Sequence, residues 1–177
     1  THIVDRKSDT HFFNEKGIVT HKTFMDDGAT LYYNEDGSPS HVIEKYGTTH
    51  YYNKEGNRTH TTDTMGFTTY YNEQGIKTHM IDREGNTSYF DGEGYETHMT
   101  DTEGNTHYYD KKFNETHMKD TQGFTHYYNE QGIQTHIIDF NGDTYYMNEN
   151  SILTHMIDTK GNTLYYDEDG NVINWSK

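Results

Sequence analysis

The chain repeats itself every 19 residues. Aligned on Thr-His, nine units begin at Thr1, Thr20, Ser40, Thr59, Thr78, Thr97, Thr116, Thr135 and Thr154. Only the second unit has 20 residues, with the extra one between His21 and Gly28. A fixed short period means that each copy is one supersecondary unit, too small to bury its own core and stabilised by its neighbours.

Two turn signals alternate along each unit. One is Asp-x-x-Gly, as in Asp82-Arg83-Glu84-Gly85, and the other is Asn-x-x-Gly, as in Asn72-Glu73-Gln74-Gly75. Asp or Asn accepts backbone N–H bonds from residues further on, and Gly takes a left-handed conformation. That is the chemistry of a hairpin loop built from a type I turn and a glycine bulge. The stretches between turns are too short for helices and rich in Thr, Tyr, Ile and Met, so they read as strands. The fold class is therefore all-β, a tandem-repeat array of antiparallel β-hairpins, either an extended β-meander or a β-hairpin solenoid. Residues 1–172 form the nine units as one elongated domain, and residues 173–177 read as a tail.

Composition narrows the function. A formal charge of −15 disfavours nucleic acid, whose phosphates are bound by Lys and Arg clusters. There is no Cys, so thiolate metal sites and disulfides are excluded. No stretch is apolar enough to span a membrane as a helix. Thr-His-x-x-Asp resembles part of a catalytic constellation, but it recurs, with variations, in all nine units. Catalysis needs one site held by a dedicated surround, so no catalytic residue and no cofactor is assigned.

Tyrosine pairs supply the candidate binding surface. Adjacent strand residues point to opposite faces, so one ring of each pair is structural and the other is free for a ligand. The second rings are Tyr33, Tyr52, Tyr71, Tyr109, Tyr128 and Tyr166. Sugars stack on such rings, which makes a cell-surface glycan the first candidate. The rivals are a structural spacer, a shell, or a self-assembling sheet with homotypic contacts.

The histidines give a further, metal-binding or pH-responsive, reading. Hairpin register predicts that each consensus His faces an aromatic residue ten positions on, as His98 faces Tyr108. Across the second turn it predicts the pairs His11–His21, His50–His60, His107–His117 and His126–His136, imidazoles suited to Zn, Cu or Ni. Both turns keep parity and the period is odd. A regular meander would then place the His of successive units on opposite faces.

Three bacterial hairpin-repeat families resemble this chain. Asp101-Thr-Glu-Gly104-Asn-Thr106-His-Tyr-Tyr109-Asp110 resembles the core of YD (Rhs-type) repeats, with Phe113 at the expected second-turn Gly. Gly161-Asn-Thr-Leu-Tyr165-Tyr166-Asp-Glu-Asp-Gly170 is similar to the choline-binding, toxin and glucan-binding repeats of bacterial surface proteins. Tyr32-Tyr33-Asn34-Glu35-Asp36-Gly37-Ser38 is similar to the extended β-sheet domain of adhesin glycosyltransferases. These resemblances imply an extracellular or bacterial cell-surface module beside some other domain.

Overall fold

A computed structural model describes residues 1–176, with the side chains of Trp175 and Ser176 left aside. Its described residues form nineteen antiparallel strands and no helix. They fall into two compact units, residues 1–85 with 90–94, and residues 86–89 with 95–176.

The first unit holds β1 (His2–Val4), β2 (Thr10–Phe13), β3 (Val19–Thr23), β4 (Thr30–Tyr33) and β5 (Pro39–Ile43). It continues with β6 (Thr49–Tyr52), β7 (Arg58–Thr62), β8 (Thr68–Tyr71) and β9 (Lys77–Ile81). Strand β10 (Thr87–Phe90) is divided between the units, with Phe90 in the first. The second unit holds β11 (Glu96–Thr100), β12 (Thr106–Tyr109), β13 (Glu115–Lys119), β14 (Thr125–Tyr128) and β15 (Gln134–Ile138). It ends with β16 (Thr144–Met147), β17 (Leu153–Ile157), β18 (Thr163–Tyr166) and β19 (Val172–Ser176). Residues 173–176, expected as a tail, thus belong to a strand that pairs with β18. Lys177 lies outside the described residues.

Within each unit every strand touches only its neighbours in sequence, so each sheet is a single-layered meander. Only Ala29 and Asp9 are buried among the described residues. With no core, cohesion must come from the ladder of backbone bonds, the turns and the side-chain rows on the two faces.

The turns form as their chemistry dictates. Asp101 Oδ1 accepts the N–H groups of Glu103 and Asn105 at 2.9 Å, and Asn129 Oδ1 accepts those of Gln131 and Ile133. Gly104 and Gly132 have φ of 92° and 75°. The extra residue of the second unit lengthens the loop from Phe24 to Ala29, and His21 faces Tyr32 across it.

The two turn edges differ in packing. A Cβ added to Gly104 or Gly142 would lie 3.0 or 3.1 Å from the Thr Cγ2 of the next Asp turn, whereas nothing stands within 4 Å at Gly56, Gly75 or Gly132. The Asp turns stack on one another, and the Asn turns stand apart.

Phe113 occupies a glycine position with φ of 65°, and its side chain is exposed. A left-handed conformation is unfavourable for a side chain by about 1–2 kcal/mol, partly offset by the lower unfolded-state entropy of a non-glycine. Phe113→Gly is expected to raise stability by about 0.5–1 kcal/mol. A lower urea midpoint for that variant would mean that the Phe113 ring stabilises the turn instead.

Candidate functional site

One side chain decides how the faces are built. In the second hairpin Tyr108 faces His117 but Tyr109 faces Glu115, so Thr116 is an extra, bulged residue. The same shift recurs where β2, β4, β6, β8, β14 and β16 meet the following strand. A bulge removes one residue from the side-chain alternation. The odd period therefore becomes even, and the consensus His of every unit in each sheet returns to the same face. This corrects the opposite-face expectation, which assumed a regular ladder.

Threonine suits the bulge because its hydroxyl serves two groups. Thr116 Oγ1 lies 3.2 Å from the Tyr108 carbonyl and 3.0 Å from His117 Nδ1. The carbonyl only accepts, so the single hydroxyl proton goes to it. The imidazole must then donate through Nδ1–H, leaving the Nε2 lone pair at the distal ring edge. Thr20, Thr59, Thr78, Thr97, Thr135 and Thr154 repeat both contacts. The recurring Thr-His is thus a bulge and its hydrogen bond.

The consequence is a continuous ring ladder on this face, face A. In the first unit it runs through His2, Phe12, His21, Tyr32, His41, Tyr51, His60, Tyr70 and His79. In the second it runs through Tyr89, His98, Tyr108, His117, Tyr127, His136, Tyr146, His155 and Tyr165. Tyr108 and His117, joined across a bulge, stack at 4.3 Å, whereas His98 and Tyr108, joined across an Asp turn, stack at 5.6 Å. The first-turn register, His98 with Tyr108 and His136 with Tyr146, matches expectation. Burial pushes His60, His117 and His136 below the ordinary imidazole range.

The four expected His–His pairs do not form, for the same reason. His11 faces Lys22, His50 faces Thr61, His107 faces Met118 and His126 faces Ile137. Their would-be partners His21, His60, His117 and His136 lie on the opposite face, in the ladder. Each of the four His on the second face, face B, instead meets an acid from the preceding turn. His11 is 3.1 Å from Asp5, His50 is 2.9 Å from Glu44, and His107 and His126 are 3.4 Å from Asp101 and Asp120. The Asn105 side chain, with backbone N–H groups and His107, holds Asp101 down to about 2. Among the described residues no group of three or more His, Asp or Glu is arranged to hold a metal ion.

Glu44, His50 and Thr61 are joined in the order acid, imidazole, hydroxyl, with both contacts at 2.9 Å. His50 and Thr61 are register partners within the sheet. Strand N–H groups lie in the plane of the sheet, so none there is aimed at an oxyanion above the face. The relay ties two strands together.

The second tyrosines lie on face B, in a row beside the Asn turns within each unit. Tyr33, Tyr52 and Tyr71 share it in the first unit, facing Pro39, Arg58 and Lys77. Tyr109, Tyr128 and Tyr166 share it in the second, facing Glu115, Gln134 and Val172. All six are half-buried. Rings on alternate strands lie about 9.6 Å apart, two strand spacings. Hollows open beside them, of about 410 and 450 Å³ next to Tyr52 and about 80 Å³ next to Tyr128. The first and third open because neighbouring Asn turns stand apart, and the second runs from Tyr52 towards Asp27 and Glu44 at the Asp-turn edge.

Sequence reasoning missed Arg58 and the bulged threonines as organising residues. The bulge had a signal: a hydroxyl residue at one position before His in every unit, combined with an odd period.

No family model matches the chain, and no curated sequence matches it. Among solved structures, a point mutant of the TCP10 domain of CPAP from Danio rerio is similar, with a TM-score of 0.63 and 14% identity, over 100% of this chain and 99% of that one. The wild-type domain bound to a peptide of Danio rerio STIL gives a TM-score of 0.39 at 12% identity, over 99% and 93%. The TCP10c domain of Drosophila melanogaster Sas-4 gives 0.30 at 10%, over 100% and 98%. The likeness to the first is one of fold. Among the described residues no helix is long and apolar enough to cross a membrane.

Proposed function

We propose that this chain is a non-catalytic repeat module that binds an extended glycan laid across the strands of face B. The observation that carries the reading is the row of second tyrosines in each unit, on β4, β6 and β8 in the first and on β12, β14 and β18 in the second, on face B and beside the open Asn turns. Each ring offers a stacking platform. The adjoining clefts are lined by amides, Asn57, Asn72 and Gln74 in the first unit and Asn114 and Asn129 in the second. Repetition makes the surface multivalent, so weak contacts at successive rings combine. An extracellular or bacterial cell-surface setting, beside another domain, belongs to the same proposal.

A peptide partner is the second reading, favoured by spacing. A polyproline II helix repeats every three residues with a rise of about 3.1 Å, hence about 9.3 Å per turn, near the 9.6 Å between rings.

An oligosaccharide array followed by titration with tyrosine fluorescence tests the first reading. Changing Tyr109, Tyr128 and Tyr166 together to Thr is expected to weaken glycan binding tenfold or more, since each platform contributes about 0.5–1.5 kcal/mol. Unchanged affinity in the triple variant would overturn the assignment of the row. Binding of proline-rich peptides and of no glycan would replace the ligand class.

A further inference from the structure

Two hollows meet at Tyr52 and Arg58. The first, of about 410 Å³, lies between the turns Asn53–Gly56 and Asn72–Gly75 and is lined by Tyr52, Asn57, Arg58, Asn72, Glu73 and Gln74, with Gly56 and Gly75. The second, of about 450 Å³, reaches Asp27 and Ala29 of the lengthened loop and passes Glu44, Lys45 and His50. Both include Tyr52 and Arg58.

Arg58 is the one basic residue that lines both hollows, and it makes no ion pair among the described residues. Its guanidinium lies 4.3 Å over the Tyr71 ring. A guanidinium stacked on an aromatic ring keeps its in-plane N–H fork for a planar anion.

The molecule contains its own comparison. Three repeats further on, Asn114, Tyr128 and Asn129 stand where Asn57, Tyr71 and Asn72 stand, and Glu115 replaces Arg58. Glu115 lies 2.8 Å from His107 Nδ1, and that cleft is reduced to about 80 Å³. The same turn architecture thus holds a guanidinium beside Glu73 in one unit, and only the acids Asp110, Glu115 and Glu130 in the other.

We propose that Tyr52 and Arg58 form a subsite for a hexuronate, an acidic sugar residue of a longer glycan. The sugar ring stacks on Tyr52. The Arg58 fork donates two hydrogen bonds to the carboxylate, and the Asn57, Asn72 and Gln74 amides reach ring hydroxyls. Glu73 restricts the first cleft to one carboxylate placed at the guanidinium. This inference rests on the glycan-binding reading and adds to it a charge preference at one position.

Oligogalacturonate and its fully methyl-esterified form share one backbone and differ at C6, a carboxylate in the first and a neutral methyl ester in the second. Calorimetry at low salt is expected to show the acid form binding at least tenfold more tightly than the ester. Arg58→Gln should abolish the preference while leaving ester binding in place, and Arg58→Lys should retain only part of it. Equal affinity for the two oligomers, or a preference that survives in Arg58→Gln, would overturn the subsite. Absence of binding by either oligomer would overturn it as well. The wider reading is tested separately by the second-unit tyrosine variant on neutral glycans, so the two failures are distinguishable.

Discussion

Tyr127→Ala is expected to destabilise the second unit by about 3 kcal/mol, whereas Tyr128→Ala, one residue on, should cost about half as much. Tyr127 sits in the ladder between His117 at 5.4 Å and His136 at 4.3 Å. Each stacking contact contributes about 0.5–1.5 kcal/mol beyond area burial, and truncation also forfeits the half-buried ring surface. Tyr128 lies on face B and makes no ring contact among the described residues, so it loses surface burial alone. Glycan binding should respond in the opposite sense, weakened by Tyr128→Ala and, at temperatures where both variants are folded, largely kept in Tyr127→Ala. A single-layered sheet has no core to compensate, and stabilities of folded domains are only about 5–15 kcal/mol. Urea unfolding of the two variants decides the point. Equal costs would mean that the ring ladder is not the main source of cohesion.

Acid is expected to loosen the sheet from about pH 6.5 downward. Burial depresses His60, His117 and His136 in the folded state, with the Glu115 carboxylate partly opposing this at His117. A group with a depressed folded pKa prefers the folded state when neutral. Its stabilisation is full above the unfolded value, near 6.5, and is lost as pH falls through the folded value. The added proton goes to Nε2, because Nδ1 already carries one for its Thr. Successive ladder histidines lie about 9.6 Å apart, close to the screening length at moderate salt, so their charges repel and widen the transition. The urea midpoint should hold steady between pH 8 and 7 and decline below 6.5. Changing His60, His117 and His136 together to Phe should flatten that decline, since Phe12 already serves as a rung of the ladder. A midpoint unchanged down to pH 5 would rule the mechanism out. Full protonation of the 13 His would also bring the formal charge from −15 to −2, so reversible self-association should accompany the decline. Light scattering at high concentration checks this, and an unchanged monomer mass at pH 5.5 would exclude it.

Much of the fold is legible in local chemistry. The Asp-x-x-Gly and Asn-x-x-Gly signals, the 19-residue period and the Thr- and Tyr-rich stretches between them dictate antiparallel hairpins. The first-turn register follows from loop length alone, as His98 and Tyr108 show. The six second tyrosines are legible as a set because neighbouring strand residues alternate between faces. Arg58 is not legible, because its role depends on Tyr71 from the next hairpin and on the gap between two turns.

The sequence by itself determined which elements form and where they reverse, since turn geometry is encoded within a few residues. Only the tertiary structure decided which face each row occupies. Parity counted along a regular ladder scatters the histidines over both faces. A bulged threonine, held by the opposite strand's carbonyl, absorbs one residue per unit and gathers them into one ladder. That bond joins residues eight positions apart across a turn, so it is satisfied only once the strands have paired. The same shift placed the histidines of each expected metal pair on opposite faces, and left the second tyrosines of each unit in a row beside the open turns.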